Sequence, residues 1–415
     1  MTSNKTKPRK PLAECIAWRT ALASLACASA LTVSAGEYEQ AKRMHERLVG
    51  VPPTEAVLDS MAADIAADNP IAAAFTAMED PRFYSVTLKN WITPWTNEEQ
   101  DIFQPLNDYT ATVIGYARDD LDFRGILFDD ILYVGANSLG LSAYSNSNND
   151  HYQQIEERNI DLSDPTLLEQ RVQSNVTGLP ASASSGVLTS RAAARAFFVG
   201  GTNRAMFRFT MLNHLCNDLE QVQDATLPPD RIRQDVSRSP GGDSRVFLNN
   251  CVSCHSGMDP LAQAYAYYEW IYDPEADPEG NDGRIDYNDV GEIDPETGTR
   301  VQAKYHINEN TFPLGFVTPN DDWDNYWRQG NNQLLGWDAS LPGSGSGAAS
   351  MNQELAYSDA FASCQVQKVF NAVCFRDPVD SADRAQIESM TASFESSVYQ
   401  IRQVFAESAN YCKGE

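Results

Sequence analysis

A mainly α-helical protein is what this sequence predicts, on three observations. Between residues 37 and 135, apolar residues recur at helical spacing and prolines punctuate the pattern. A second helical stretch runs from about Ser190 to Cys216. Near the C-terminal end, Ile387, Met390, Phe394, Val398, Ile401 and Phe405 mark one apolar stripe.

The chain opens with Lys5, Lys7, Arg9, Lys10 and Arg19, a weakly polar run from Thr20 to Val33, and the small residues Val33-Ser34-Ala35. This order is that of a secretory signal peptide cleaved near Ala35, which predicts a periplasmic or secreted protein. The apolar run falls short of the ~18 residues that a membrane span needs, and no later run reaches that length. The mature chain is therefore expected to lack a transmembrane segment. Thr54 is placed to cap a helix carrying Leu58, Met61 and Ile65, and Pro70 and Pro81 suit the first turns of two more. Another helix is expected from about Pro105 to Arg118, followed by a largely buried stretch from Phe123 to Val134. The polar run from Ser145 to Asp150 reads as a loop, and residues 160–185 as irregular. Beyond Cys216, a connector containing Pro228-Pro229 and Pro240-Gly241-Gly242 leads to residue 250. Asp259-Pro260 is expected to open an aromatic helix from Leu261 to Tyr272. Residues 273–345 carry turn residues, ending in the flexible Gly343-Ser344-Gly345-Ser346-Gly347.

With 42% hydrophobic and 21% charged residues, the 415-residue chain is globular in composition, neither disordered nor fibrous. Its formal charge is −26. Removing residues 1–35 leaves 26 Lys and Arg against 56 Asp and Glu, hence −30. Such a field repels nucleic acid and anionic membrane and favours a partner with a basic docking surface.

Eight cysteines are present, two of them (Cys15, Cys27) in the leader. Cys251-Val252-Ser253-Cys254-His255 has the C-x-x-C-H spacing of covalent haem attachment: two thiols for the two vinyl groups, and an adjacent imidazole for the iron. Chance would produce this pattern in roughly 0.2% of chains of this composition. Structural zinc would want a second ligand pair, and the chain has no other C-x-x-C. A redox dithiol would want a βαβ setting, which the flanking residues do not form. One haem c is thus expected, with Cys251 and Cys254 as anchors and His255 as the proximal ligand. His306, His214, Met211, Met351 and Met390 are candidates for the distal position, which an open iron would leave empty; Met258 lies too close to His255 to reach the far face. The other four cysteines, in an oxidising compartment, are expected to form two disulfides, the alternative being that some are buried free thiols. Cys364 and Cys374, about 15 Å apart along one expected helix, cannot pair with each other. Two pairings remain: 216–364 with 374–412, or 216–374 with 364–412.

The acidic run from Asn281 to Asp289 resembles the second half of a calcium-binding loop in Asp282, Gly283, Ile285, Asp286 and Asp289. Pro278 and Gly280 stand where its first ligands belong, so an acidic surface turn is expected instead. No phosphate-binding, dinucleotide or hydrolase fingerprint occurs.

Three stretches carry a family resemblance. They are Gly186-Val187-Leu188-Thr189, the haem segment continued by Met258-Asp259-Pro260-Leu261, and the tail from Phe361 to Cys412 with Ala406-Glu407-Ser408-Ala409. Together, with a Val51-Pro52-Pro53 turn in the first half, they resemble uncharacterised c-type cytochrome proteins of planctomycetes and other bacteria. The resemblance covers about half of the chain and implies haem binding and export without a known substrate. The long acidic loop at 273–300 departs from it, and no distal ligand is carried across.

The expected order is a signal peptide (1–35), a helical N-terminal domain (36–150), an irregular linker (151–185), a cytochrome-c-like haem domain (186–342), a Gly/Ser linker (343–350) and a helical C-terminal domain (351–415). Expected functions are one-electron transfer, a haem oxidoreductase or its subunit with an open iron, or a non-catalytic assembly or surface-binding protein. A bare electron carrier needs only ~100 residues, which leaves most of this chain for other work.

Overall fold

The computed structural model describes residues 35–414, so the predicted signal peptide lies outside the described residues, apart from Ala35. Helix dominates. No described helix is long and apolar enough to cross a membrane.

Three helices open the fold: α1 (Glu37–Val49), α2 (Glu55–Ala66) and α3 (Pro70–Met78). Gly50 ends α1 at φ +81°, a conformation that costs glycine little. Thr54 Oγ1 accepts from Val57 N at the start of α2, and Pro70 occupies the first turn of α3. A continuous helical run from Pro81 to Ile92 then passes through a wide turn at Phe83–Leu88.

Every residue of α4 (Asp108–Arg118) is buried, its charged ends included. The fold satisfies both ends with hydrogen bonds, without which burial would be costly. Asp108 accepts the Arg191 and Ala192 N–H groups at 2.6 and 3.0 Å and the Tyr144 hydroxyl at 3.0 Å. Arg118 forks onto Asp119 and donates to the carbonyls of Leu162 and Leu168. Beside α4, β1 (Ile131–Gly135) pairs antiparallel with β2 (Leu168–Val172), and α5 (Asp150–Glu157) lies between them in sequence.

The next elements are α6 (Arg191–Phe197), α7 (Arg204–His214) and α8 (Val252–Ala262), followed by two hairpins. In these, β3 (Tyr268–Ile271) pairs with β4 (Arg284–Tyr287), and β5 (Asp322–Asp324) with β6 (Ser344–Ser346). The C-terminal segment is α9 (Ala348–Ala356), α10 (Asp359–Cys374), α11 (Ser381–Ser396) and α12 (Ile401–Cys412). Helix α12 returns to the N-terminal helices, where the Phe405 ring meets those of Phe83 and Trp91 at 5.2 and 5.3 Å.

Several expectations are corrected. Residues 160–185, expected to be irregular, contain β2, and its pairing with β1 crosses the division drawn at residue 150. One cluster of buried apolar side chains extends from Ala41 to Ala409, so the segments share a core. Residues 343–350 are not a free linker: Ser344–Ser346 form β6, and Ala348 begins α9. The aromatic helix expected from Leu261 to Tyr272 is helical only as far as Tyr265. Pro260 instead lies inside α8, where the helix forgoes the bond that an N–H at this position would make to Ser256 O, and Tyr268–Ile271 are strand. The run from Asn281 to Asp289, expected as an acidic surface turn, contains the strand β4. Among the described residues, no three His, Cys, Asp or Glu side chains gather as a metal cage. Finally, the C-terminal apolar stripe is broken between α11 and α12 at Val398 and Tyr399, both left-handed (φ +57° and +58°). Tyr399 N–H closes the turn on Phe394 O at 2.8 Å, and its ring stacks under the Arg124 guanidinium at 3.9 Å.

Of the two disulfide pairings left open, the structure holds Cys216–Cys364 and Cys374–Cys412, with Cα atoms 5.3 and 5.6 Å apart. The second closes a separation of 38 residues, for which loop-closure entropy gives about 4 kcal/mol. Cys374→Ser with Cys412→Ser is therefore expected to lower the unfolding free energy by about that amount in non-reducing buffer, read by urea titration.

Candidate functional site

The C-x-x-C-H segment lies at the start of α8. Residues 247–251 form one wide helical turn and Val252 continues it as regular helix, so Cys251 and Cys254 stand one turn apart. Both are half-buried, and they are the described cysteines left without a disulfide. Cys251 and Val252 pack on a small apolar cluster of Ile232, Val236 and Phe247, separate from the main core. Cys254 Sγ lies 3.6 Å from Leu219 O. Burial, with Glu220 and Asp218 nearby, pushes its thiol pKa above the ordinary value, although the Ser253 hydrogen bond pulls the other way. A nucleophilic redox dithiol wants the opposite, a lowered thiol pKa.

His255 and Asp259 are four residues apart and share one face of α8. His255 Nδ1 is 3.0 Å from Asp259 Oδ1. Because a carboxylate only accepts, Nδ1 carries the proton, which leaves Nε2 as the nitrogen turned away from Asp259. Among the described residues, Nε2 makes no hydrogen bond. A carboxylate behind a histidine fixes its tautomer and ring orientation and raises its basicity as a ligand.

Asp259 is fully buried and belongs to a cluster that the sequence did not disclose. Arg204, from α7, forks onto Asp259 at 2.8 and 2.9 Å and also reaches Asp235, at 2.5 and 2.9 Å. Arg233, fully buried, gives its backbone N–H to Asp259 Oδ2 at 3.2 Å and lies with Nε 3.5 Å from Asp235. Its guanidinium lies 4.5 Å over the Tyr305 ring. Two arginines and two aspartates balance, which makes their common burial tolerable. Burial alone would raise the Asp259 pKa, but Arg204 and Arg233 hold it well below the usual carboxylate range. Asp235 is lowered in the same way. The one local signal for this cluster was the spacing of His255 and Asp259; Arg204, Arg233 and Asp235 carried none. Close packing also fixes α8: a Cβ on Gly257 would collide with the Trp327 indole.

The distal candidates have places of their own. His214, fully buried, pairs through Nε2 with the Tyr109 hydroxyl at 2.7 Å. Met211, Met351 and Met390 are core side chains without exposure. His306 Nε2 donates to Thr318 O at 3.1 Å, and its ring lines a cavity of about 390 Å³ with Lys304.

Fold and site thus define a mainly helical, disulfide-bonded protein whose two unpaired thiols precede a histidine backed by a buried carboxylate. No family model matches the chain, and no curated protein or solved structure is similar to it.

Proposed function

We propose that the chain is an exported monohaem c-type cytochrome that passes single electrons in the periplasm. The observation that carries this reading is the His255 ring, anchored through Nδ1 on Asp259 one residue after two unpaired thiols. Cys251 and Cys254 would hold the group through thioether bonds and His255 through Nε2. Bound haem supplies an iron that gains and loses one electron. Asp259 holds the Nδ1 proton and the ring orientation, and Arg204 and Arg233 keep Asp259 ionised. Zinc is less well supported, since no further Cys, His, Asp or Glu side chains complete a metal cage among the described residues. The partial exposure of both thiols favours a haem edge within reach of a partner, and the charge of −26 favours a basic docking surface on that partner. Two disulfides and the leader pattern support export. The segment from Cys251 to Leu261 supports kinship with the planctomycete-type cytochromes it resembles.

A haem oxidoreductase with an open iron is the second reading. It is favoured by the prior engagement of Nε2 on both His214 and His306. Absorption spectra of periplasmically matured protein, oxidised and reduced, separate the two. Low-spin bands indifferent to carbon monoxide are expected for electron transfer, and a high-spin spectrum altered by carbon monoxide would favour the oxidoreductase. Cys251→Ser with Cys254→Ser is expected to abolish haem that survives a denaturing gel. A wild-type protein matured without haem would overturn both readings.

A further inference from the structure

Asn203 stands at the N-cap of α7, where an asparagine side chain usually accepts from a helix N–H. It makes no such bond here. The residue is left-handed (φ +61°) and 1% exposed, and its amide is engaged elsewhere. Nδ2 donates to the carbonyls of Tyr265 and Tyr268 at 2.8 and 2.9 Å, and Oδ1 accepts from Lys304 Nζ at 3.0 Å. With both amide protons taken up, the carbonyl end of Asn203 is the end that meets the lysine.

Lys304 comes from a helical turn (Ala303–His306) 101 residues further on, and its side chain is 15% exposed. Its ion-pair partner is Glu269 on β3, with Oε1 3.7 Å from Nζ. Burial, aided by Arg233 and opposed by Glu269, brings the Lys304 pKa down to about 8. A lysine desolvated in this way is partly neutral amine near pH 7, and the amine is the nucleophile. The Tyr305 hydroxyl, close to Asn203, is buried without a hydrogen bond. An amine, an amide carbonyl held in one orientation, a carboxylate and an idle O–H donor thus meet at one place. Such contact makes aminolysis intramolecular, an advantage of up to about 10⁵–10⁸ M in effective concentration.

We propose that Lys304 and Asn203 join in an isopeptide bond that the protein forms on itself. Glu269 takes a proton from the Lys304 ammonium, and the freed Nζ lone pair attacks Asn203 Cγ. The carbonyl electron pair moves onto Oδ1, where the Tyr305 hydroxyl donates to it. Glu269 passes its proton to Nδ2 and the Cγ–Nδ2 bond breaks with its electron pair on nitrogen. Ammonia leaves, taking a further Nζ proton as ammonium, and Nζ keeps one hydrogen in the new amide. Nothing is oxidised or reduced, and no co-reactant is consumed. The cavity that Lys304 lines with Thr297 and His306 gives the ammonium a way out. The bond fixes the start of α7, where Arg204 follows Asn203 and reaches Asp259 and Asp235. No residue of the C-x-x-C-H motif takes part, so the proposal stands or falls apart from the haem reading.

Mass spectrometry of the full mature protein, reduced and digested with trypsin, tests it. Trypsin does not cut after an acylated lysine. Residues 301–328 are therefore expected in one piece, joined to residues 196–204 and lighter than the two peptides together by one ammonia. Lys304→Met should abolish both the join and the mass deficit. Glu269→Gln should lower the joined fraction by about tenfold or more at equal incubation, because the proton carrier is gone. The wild-type map decides even if a variant fails to fold. Separate peptides ending at Arg204 and at Lys304, persisting after incubation at alkaline pH where the amine is neutral, overturn the proposal. So does a mass deficit retained by Lys304→Met, which would assign the loss of ammonia to Asn203 alone, or a joined fraction unchanged in Glu269→Gln.

Discussion

Arg204→Met is expected to lower the unfolding free energy by about 3–5 kcal/mol, among the larger effects open to a single substitution here. The arginine is the shared partner of two buried acids, Asp235 and Asp259, and its loss leaves both without their forked donor. Arg233 lies against the same acids but cannot replace four short bonds from its place under Tyr305. The control is Arg208→Met on the same helix. Arg208 pairs with Asp218 at the surface, and that change should cost about 0–1 kcal/mol. Combining Arg204→Met with Asp235→Asn and Asp259→Asn should recover much of the loss, because neutral amides strand less charge. Urea titration of the three proteins checks all of this. A single-variant loss below about 1 kcal/mol would mean that the cluster is solvated in solution.

If the chain carries haem as proposed, Asp259→Asn is expected to raise the midpoint potential of the haem-loaded protein. An ionised carboxylate on Nδ1 gives the imidazole anionic character, which favours the oxidised iron, and an amide removes that bias. Outer partners of metal ligands typically change affinity 10- to 100-fold. Applied to one oxidation state of a one-electron couple, this corresponds to a rise of about 60–120 mV. Asp235→Asn removes the same charge from the Arg204 cluster without touching His255. Its shift should be much smaller, although its effect on stability should be similar. Spectroscopic redox titration of both variants distinguishes a carboxylate that positions and polarises His255 from one that only supports the fold. Equal shifts would assign Asp259 the second role.

How much was legible depended on how far apart the participants stand. Thr54 and Pro70 announced α2 and α3 because a cap or a proline acts within one turn. The helix beyond Pro260 was misread for a related reason. Proline favours the first turn of a helix, but Pro260 is carried inside α8 at the loss of one backbone bond, and the hairpin formed by Tyr268–Ile271 with Arg284–Tyr287 takes the residues expected to continue as helix. The stripe from Ile387 to Phe405 keeps helical spacing even across a break. Two left-handed residues, neither of them glycine, leave no mark in a hydrophobic pattern.

The sequence by itself determined the helical class, the local spacing of Cys251, Cys254 and His255, and the exclusion of a Cys364–Cys374 bridge. Each follows from chain geometry within a few turns, where the rise per residue is constant. Only the tertiary structure decided that Cys216 meets Cys364, that β1 finds β2, and that Arg204 joins Asp235 and Asp259 from 31 and 55 residues away. Such meetings depend on how the whole chain closes around its core. The closure is driven by non-directional burial of apolar surface, which names no partner in advance.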